Sequence, residues 1–249
     1  MQESDGLGRA DRPELLRHAE SLPGAAGAPP TLARVDDRTG ISAFDALFER
    51  PPMLAGDVVR MEPLEERHRD PLAEALSDPA VWRWTRIDAS ASRGDFDAWF
   101  DEALALTAAR RELAFATVDR ATGRALGSSR YLSFRAADRG LEIGWTLVSP
   151  AAWGGGANSE AKLLMLDHAF ERLGCARVEF KTDARNERAR AALAALPSSF
   201  EGVFRKHMLM YGGRWRDSAW YAITDDNWPA AREQLRQRVA RQAPRQGTR

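Results

Sequence analysis

The stretch that most constrains this 249-residue chain is Leu141 to Leu173, LEIGWTLVSPAAWGGGANSEAKLLMLDHAFERL. Leu141 to Val148 is strand-like, Ser149 to Trp153 reads as a turn, and Gly154, Gly155 and Gly156 follow in a row. From Asn158 the pattern is helical and apolar to Leu173, with Gly174 as a stop. A strand, a glycine turn and a helix N-terminus in that order predict an anion site. Glycines let the backbone approach a ligand closely, and the free N–H groups of the first helical turn point at it. The expected guest is a phosphate or pyrophosphate. A P-loop is excluded, because it needs Lys and Ser or Thr directly after its last glycine and Lys162 is six residues past Gly156. A dinucleotide fingerprint is excluded too, since Ser159 stands where its third glycine belongs.

Bulk properties narrow the class. The formal net charge is zero, so there is no global electrostatic footprint for nucleic acid. The arginine-rich end (Arg236, Arg238, Arg241, Arg245, Arg249) reads as a solvated tail. Cys175 is the single cysteine, so an intrachain disulfide is impossible, and a reducing, cytoplasmic setting is expected. No apolar run reaches membrane-spanning length, and the N-terminus lacks the basic start and apolar core of a secretory signal. Lysine occurs only as Lys162, Lys181 and Lys206. Against so many arginines and alanines, this reads as the bias of a GC-rich genome, without functional content.

Residues 1–52 are rich in Gly, Ala and Pro and are expected to be a flexible extension, with helical patches at Arg12–Glu20 and Ile41–Arg50. Residues 53–230 are regular and form the expected domain. Residues 231–249 complete a C-terminal helix, which begins near Trp228, and add a basic tail. Strands are predicted at Val58–Leu64, Leu113–Val118, Ala125–Phe134, Leu141–Val148, Ala176–Thr182, Phe200–Met210 and Arg216–Thr224. Helices are predicted at Arg69–Leu76, Asp95–Arg110, Asn158–Leu173 and Asn186–Leu196. Short loops make the leading strands antiparallel. The crossover from Leu141–Val148 through its helix to Ala176–Thr182 makes one parallel pair, right-handed in connection. The class is a mixed α/β sheet.

Three runs carry a family resemblance. The strand–SP–WGGGAN–helix stretch, then VEFKTDARNERARAAL, then EGVFRKHM…RDSAWYAITDDNWP resemble the GNAT acetyltransferases over residues 54–230. The RimJ/RimL-type branch, which acetylates protein N-termini and various small amines, is the most similar. The resemblance implies a mostly antiparallel, splayed sheet with helices on both faces, and acetyl-CoA as cosubstrate without a metal. It implies that backbone N–H groups of Gly154, Gly155, Gly156, Ala157 and Asn158 hold the pyrophosphate. Backbone groups of Leu147 and Val148 would bond pantetheine and polarise the thioester carbonyl. Asn186 would bond the pantetheine arm. Glu142 would be the base that deprotonates the amine. Trp82 and Trp84 would border the acceptor cleft. Two hydroxyls of the family are missing: Leu193 stands at a familiar tyrosine position and Ala189 at a familiar serine position. Ser149 or water is then the expected acid. Ala151 replaces a Gln or Arg beside the phosphates, and Leu196-Pro-Ser-Ser-Phe200 replaces a glycine turn.

The remaining candidates read as structural. His207 and Asp217 lie on the last two strands, His168 has no metal-spaced partner, and Cys175 reads as a small core residue. The expectation is a monomeric or homodimeric N-acetyltransferase acting on a protein N-terminus or a small-molecule amine, with no membrane or nucleic-acid partner. Direct attack in a ternary complex is the expected route. The alternatives are a non-catalytic acyl-CoA-binding module and a structural α/β domain without cofactor.

Overall fold

The structure is a computed structural model that describes residues 43–242. The patch Arg12–Glu20 and most of the basic tail lie outside the described residues. Eight strands form one sheet in the order β1-β2-β3-β4-β5-β6-β8-β7. They are β1 (Leu54–Ala55), β2 (Val59–Pro63), β3 (Leu113–Asp119), β4 (Ala125–Arg135), β5 (Gly140–Val148), β6 (Arg177–Asp183), β7 (Ser199–Leu209) and β8 (Trp215–Thr224). Only β5 and β6 pair in parallel.

That parallel pair is short. It joins Gly140 to Arg177, Leu141 to Val178 and Glu142 to Glu179, and then stops. Beyond it β5 stays with β4 as far as Val148, while β6 stays with β8 as far as Asp183. The sheet therefore splits, and Glu142 sits at the vertex. A bulge in β5 turns the strand there. The register leaves Trp145 and Thr146 opposite Ser129, and Trp145 adopts a left-handed φ of 48°. Such a bulge bends and over-twists its strand. The indole of Trp145 lies 4.8 Å from the guanidinium of Arg130, whose carbon is also 5.4 Å from the Trp99 ring. Arg130 is fully buried and bonds Glu112 at 2.8 Å, so the strained residue is held by packed neighbours.

Helices cover both faces. On one face lie α1 (Ala43–Glu49), α5 (Ala157–Asp167), α6 (Glu187–Ala195) and α7 (Trp228–Gln242), sharing a core with Met61, Phe115, Tyr131, Ile143, Val178 and Tyr221. On the other lie α2 (Arg69–Ala75), α3 (Pro79–Trp82) and α4 (Arg93–Ala108), over Ala114, Ala116, Val118 and Leu147. Helix α4 begins where Ser92 Oγ accepts from the Asp95 amide, and its buried Phe96, Trp99, Phe100 and Ala103 recur at helical spacing. Helix α5 runs on through a π-helical turn, His168–Arg172, and ends at Gly174.

Glu160 locks α5 to the other end of the chain. Its carboxylate accepts the amides of Asp57, Val58 and Val59 at 2.8, 2.7 and 2.7 Å. A Cβ on Gly56 would collide with that carboxylate, so the close approach requires glycine.

Two expected boundaries shift. Residues 43–49 belong to the packed domain, because α1 buries Phe44 and Leu47 and sets Phe44 against Phe134 at 5.3 Å. Helix α7 is also core, since Trp228, Ala231 and Leu235 are buried and Trp228 stacks on Phe170 at 4.9 Å. Among the described residues no helix is long and apolar enough to cross a membrane.

Candidate active site

One wall of the split is built from β5, the glycine turn and α5. Gly154 takes φ 77°, which only glycine adopts freely, and Gly154 and Gly155 are exposed. Helix α4 is capped by Ser92 and α6 by Asn186, but no side chain caps α5. Its first amides therefore keep their donors free for an anion, and the helix dipole favours one there. The Ser149 amide donates to Leu126 on β4 at 2.7 Å. By strand alternation the backbone groups of Val148 turn toward the split, and the Val148 carbonyl accepts from Trp153 Nε1 at 2.8 Å. Arg188, in the first turn of α6, stacks over the Trp153 ring at 3.4 Å. Trp153 and Arg188 thus span the outer end of the split.

Beneath the turn lies Lys162. It is buried, and its Nζ bonds Thr146 Oγ1 at 2.5 Å and Ser129 Oγ at 3.0 Å. It lines a small cleft with Val148, Ala157 and Asn158. Burial, with no carboxylate to offset it, pushes its pKa down to about 7.

The opposite face of the split carries a polar cluster. Glu142 is buried, accepts from Lys181 Nζ at 2.7 Å and meets Ser133 Oγ at 3.3 Å. Burial pushes its carboxyl up, against the opposing pull of Lys181. Lys181 lies 5.3 Å from the Trp220 ring, and Trp220 packs on Phe204 and His207. His207 Nδ1 lies 3.0 Å from Ser218 Oγ, and burial, Lys181 and Arg216 push its pKa down. Asp183 holds Arg214 at 2.9 Å and Arg185 at 3.4 Å. Trp84 reaches this cluster, with the Arg185 guanidinium 5.5 Å from its ring.

Some expected site residues sit elsewhere. Trp82 is a core residue: it is 2% exposed, donates Nε1 to the Leu76 carbonyl at 2.7 Å and packs edge-on against Trp99. The Leu147 carbonyl lies so close against Gly127 of β4 that a Cβ there would collide with it, so it is turned from the split. Ser149 and Glu142 are at opposite ends of β5, roughly 20 Å apart at 3.3 Å per residue. One reacting centre cannot touch both, which removes Ser149 as the acid partner of a Glu142 base. Asn186 Oδ1 accepts from the Ala189 amide at 3.1 Å as the helix cap, which leaves its side-chain NH2 free to donate to a ligand.

Sequence reasoning missed Lys162, Lys181, Arg188 and Arg216. A signal existed for two of them. In a chain that uses arginine almost throughout, two of its three lysines stand on the walls of the split.

The comparisons with known proteins agree with this geometry. The profile of the family described as "Acetyltransferase (GNAT) domain" matches residues 59–196. The structure is similar to a GCN5-related N-acetyltransferase from Brucella melitensis, with a TM-score of 0.72 and 31% identity, covering 78% of this chain and 87% of that one. It is similar to a protein described as an acetyltransferase from T. thermophilus, with a TM-score of 0.69 and 32% identity, covering 76% and 97%. Mycobacterium smegmatis RimJ, solved with CoA-disulfide, shares the fold at a TM-score of 0.63 and 23% identity, covering 75% and 91%. No curated protein matches significantly by sequence. The chain belongs to the GNAT acetyltransferase family, and its fold is the mixed, mostly antiparallel sheet of those neighbours. It is an acyltransferase enzyme.

Proposed function

We propose that the protein transfers an acetyl group from acetyl-CoA to a primary amine by direct attack in a ternary complex. The observation that carries this reading is the split between β5 and β6, opening directly onto an uncapped helix N-terminus. The residues present fit the cofactor. Free amides from Gly154 to Asn158 suit a pyrophosphate, the Val148 backbone and the Asn186 amide suit the pantetheine arm, and Arg188 supplies the charge that Ala151 lacks. Acetyl-CoA supplies an acyl group activated as a thioester.

Glu142 acts as the base. Its raised pKa brings it nearer neutrality, and Lys181 holds its carboxylate at the vertex. It takes the proton that an incoming ammonium must lose before its nitrogen forms a bond to the acetyl carbon and the C–S bond breaks. No side-chain acid stands at Leu193 or Ala189, so water protonates the departing thiolate, a good leaving group. Trp84 borders the acceptor side. The run KTDARNER supports a place near the RimJ/RimL-type branch, with a protein N-terminus or a small amine as acceptor.

The experiment is a thermal shift with CoA, then thiol release from acetyl-CoA over a panel of amines and N-terminal peptides. CoA at 100 times its Kd is expected to stabilise the protein by about 2.7 kcal/mol. An unchanged melting temperature at millimolar CoA rejects the cofactor assignment. A CoA shift without thiol release on any amine rejects turnover.

A further inference from the structure

Resting on the acetyltransferase reading above, we infer that the acceptor is a small amine that also carries a carboxylate, and that Arg216 binds that carboxylate. Arg216 lies on β8, on the same face as Ser218 and Trp220, two residues beyond the last β6–β8 pair at Asp183–Ser218. It therefore stands at the open end of the split, on the face where Glu142 and Lys181 stand at its vertex. The side chain is 7% exposed, yet among the described residues its Nε meets no acceptor. The nearby carboxylates are taken: Asp183 by Arg214 and Arg185, and Glu142 by Lys181.

A buried guanidinium whose Nε meets no acceptor is costly to keep, and buried polar groups are almost always paired. Its planar fork matches a carboxylate, which would complete the pairing. A second buried donor on this face, Trp220 Nε1, is likewise without an acceptor. The charge of the guest follows from the neighbours. Glu142 and Asp183 both act electrostatically on Arg216. Arg214 acts on it with the opposite sign, so one carboxylate is enough to complete the pairing. Glu142, whose Oε2 is held by Lys181 and Ser133, keeps its Oε1 for an ammonium group. A ligand with its ammonium toward Glu142 and its carboxylate toward Arg216 matches both ends, which describes an amino acid rather than a simple alkylamine.

The test uses the full chain and matched acceptors. Amino acids from α to ω are compared with their carboxamides or with the alkylamines lacking the acid, and phosphoethanolamine with ethanolamine. Thiol release from acetyl-CoA gives kcat/KM, and a CoA thermal shift is run beside it. At least one acid should exceed its neutral partner by on the order of 100-fold, mainly through KM. Arg216→Gln should abolish that preference without altering the CoA shift, and Arg216→Lys should restore part of it. If Arg216→Gln does not fold, the wild-type pairs and Arg216→Lys still decide. Equal rates within every wild-type pair, or a preference that survives Arg216→Gln or is unchanged in Arg216→Lys, overturns the inference. So does a preference confined to phosphoethanolamine, or silence from all acceptors. An absent CoA shift instead rejects the underlying acetyltransferase reading.

Discussion

The two sides of the β5–β6 split are built by different rules. On the β2–β5 side the sheet is packed on both faces, with Met61, Phe115 and Tyr131 under α5 and Ala114, Ala116 and Leu147 under α4. On the β8–β7 side large apolar groups face outward: Phe200, Val203, Phe204, Leu209, Tyr211 and Trp215 are all exposed. The buried polar groups of that side are Thr182, Asp183, Arg216 and Ser218, and the packed side buries Arg130, Glu142 and Lys162 as well. A close-packed wall holds its backbone donors in fixed positions, which suits a cofactor presented in one geometry. A wall of side-chain charges can differ between proteins without disturbing that presentation.

The largest expected difference between the walls is in stability. Trp99→Ala removes a ring packed against Trp82, Phe96, Phe100 and Arg130, and should cost about 3–5 kcal/mol by urea unfolding. Phe204→Ala on the open wall should cost less than about 1 kcal/mol. Comparable losses would erase the distinction. Next in size is Glu142→Gln, expected to lower kcat/KM by on the order of 100-fold with CoA affinity intact. An unchanged rate at neutral pH removes Glu142 as the base. In the wild type, activity should fall with acid as this raised carboxyl becomes protonated.

A pH dependence of stability is set by Lys162. Its folded pKa of about 7 lies below the unfolded value of about 10.4. Between those values the unfolded chain binds the extra proton, so stability should climb with pH by up to roughly 1.4 kcal/mol per unit. Below pH 7 this contribution is flat. Lys162→Met should remove the climb, and denaturation curves from pH 6 to 10 measure it. Smallest is Arg188→Ala, expected to weaken CoA binding about five- to tenfold by calorimetry, as the loss of one partly exposed charge and its stacking on Trp153. A loss beyond 100-fold would shift the main phosphate anchor from the turn to α6.

The glycine turn and its uncapped helix, the proposed cofactor wall, were legible because their parts are local. Strand, glycine turn and helix are consecutive from Leu141, and their spacing carries the chemistry without any tertiary contact. The polar cluster opposite it was not, because Glu142, Lys181 and Arg216 come from three strands that only the sheet order brings together. The Glu142–Lys181 pair spans 39 positions. Trp82 and Trp84 show the limit from the other side. They are two residues apart in one aromatic run, yet one fills the core and the other meets Arg185. The bulge at Trp145 was marked only by Gly144 before it, since the left-handed residue itself is a tryptophan.

The Glu160 carboxylate, bonded to amides some hundred positions earlier, also bears on when the protein becomes competent during folding. Helix α5 and its turn form from neighbouring residues, but their seating waits for the closure of a long loop, a step whose entropy is spent before the contact rewards it. A growing chain presents residues 57–59 first and must hold them until α5 arrives. The cofactor site is therefore expected to mature late, in the same event that closes the first and middle thirds of the chain on each other.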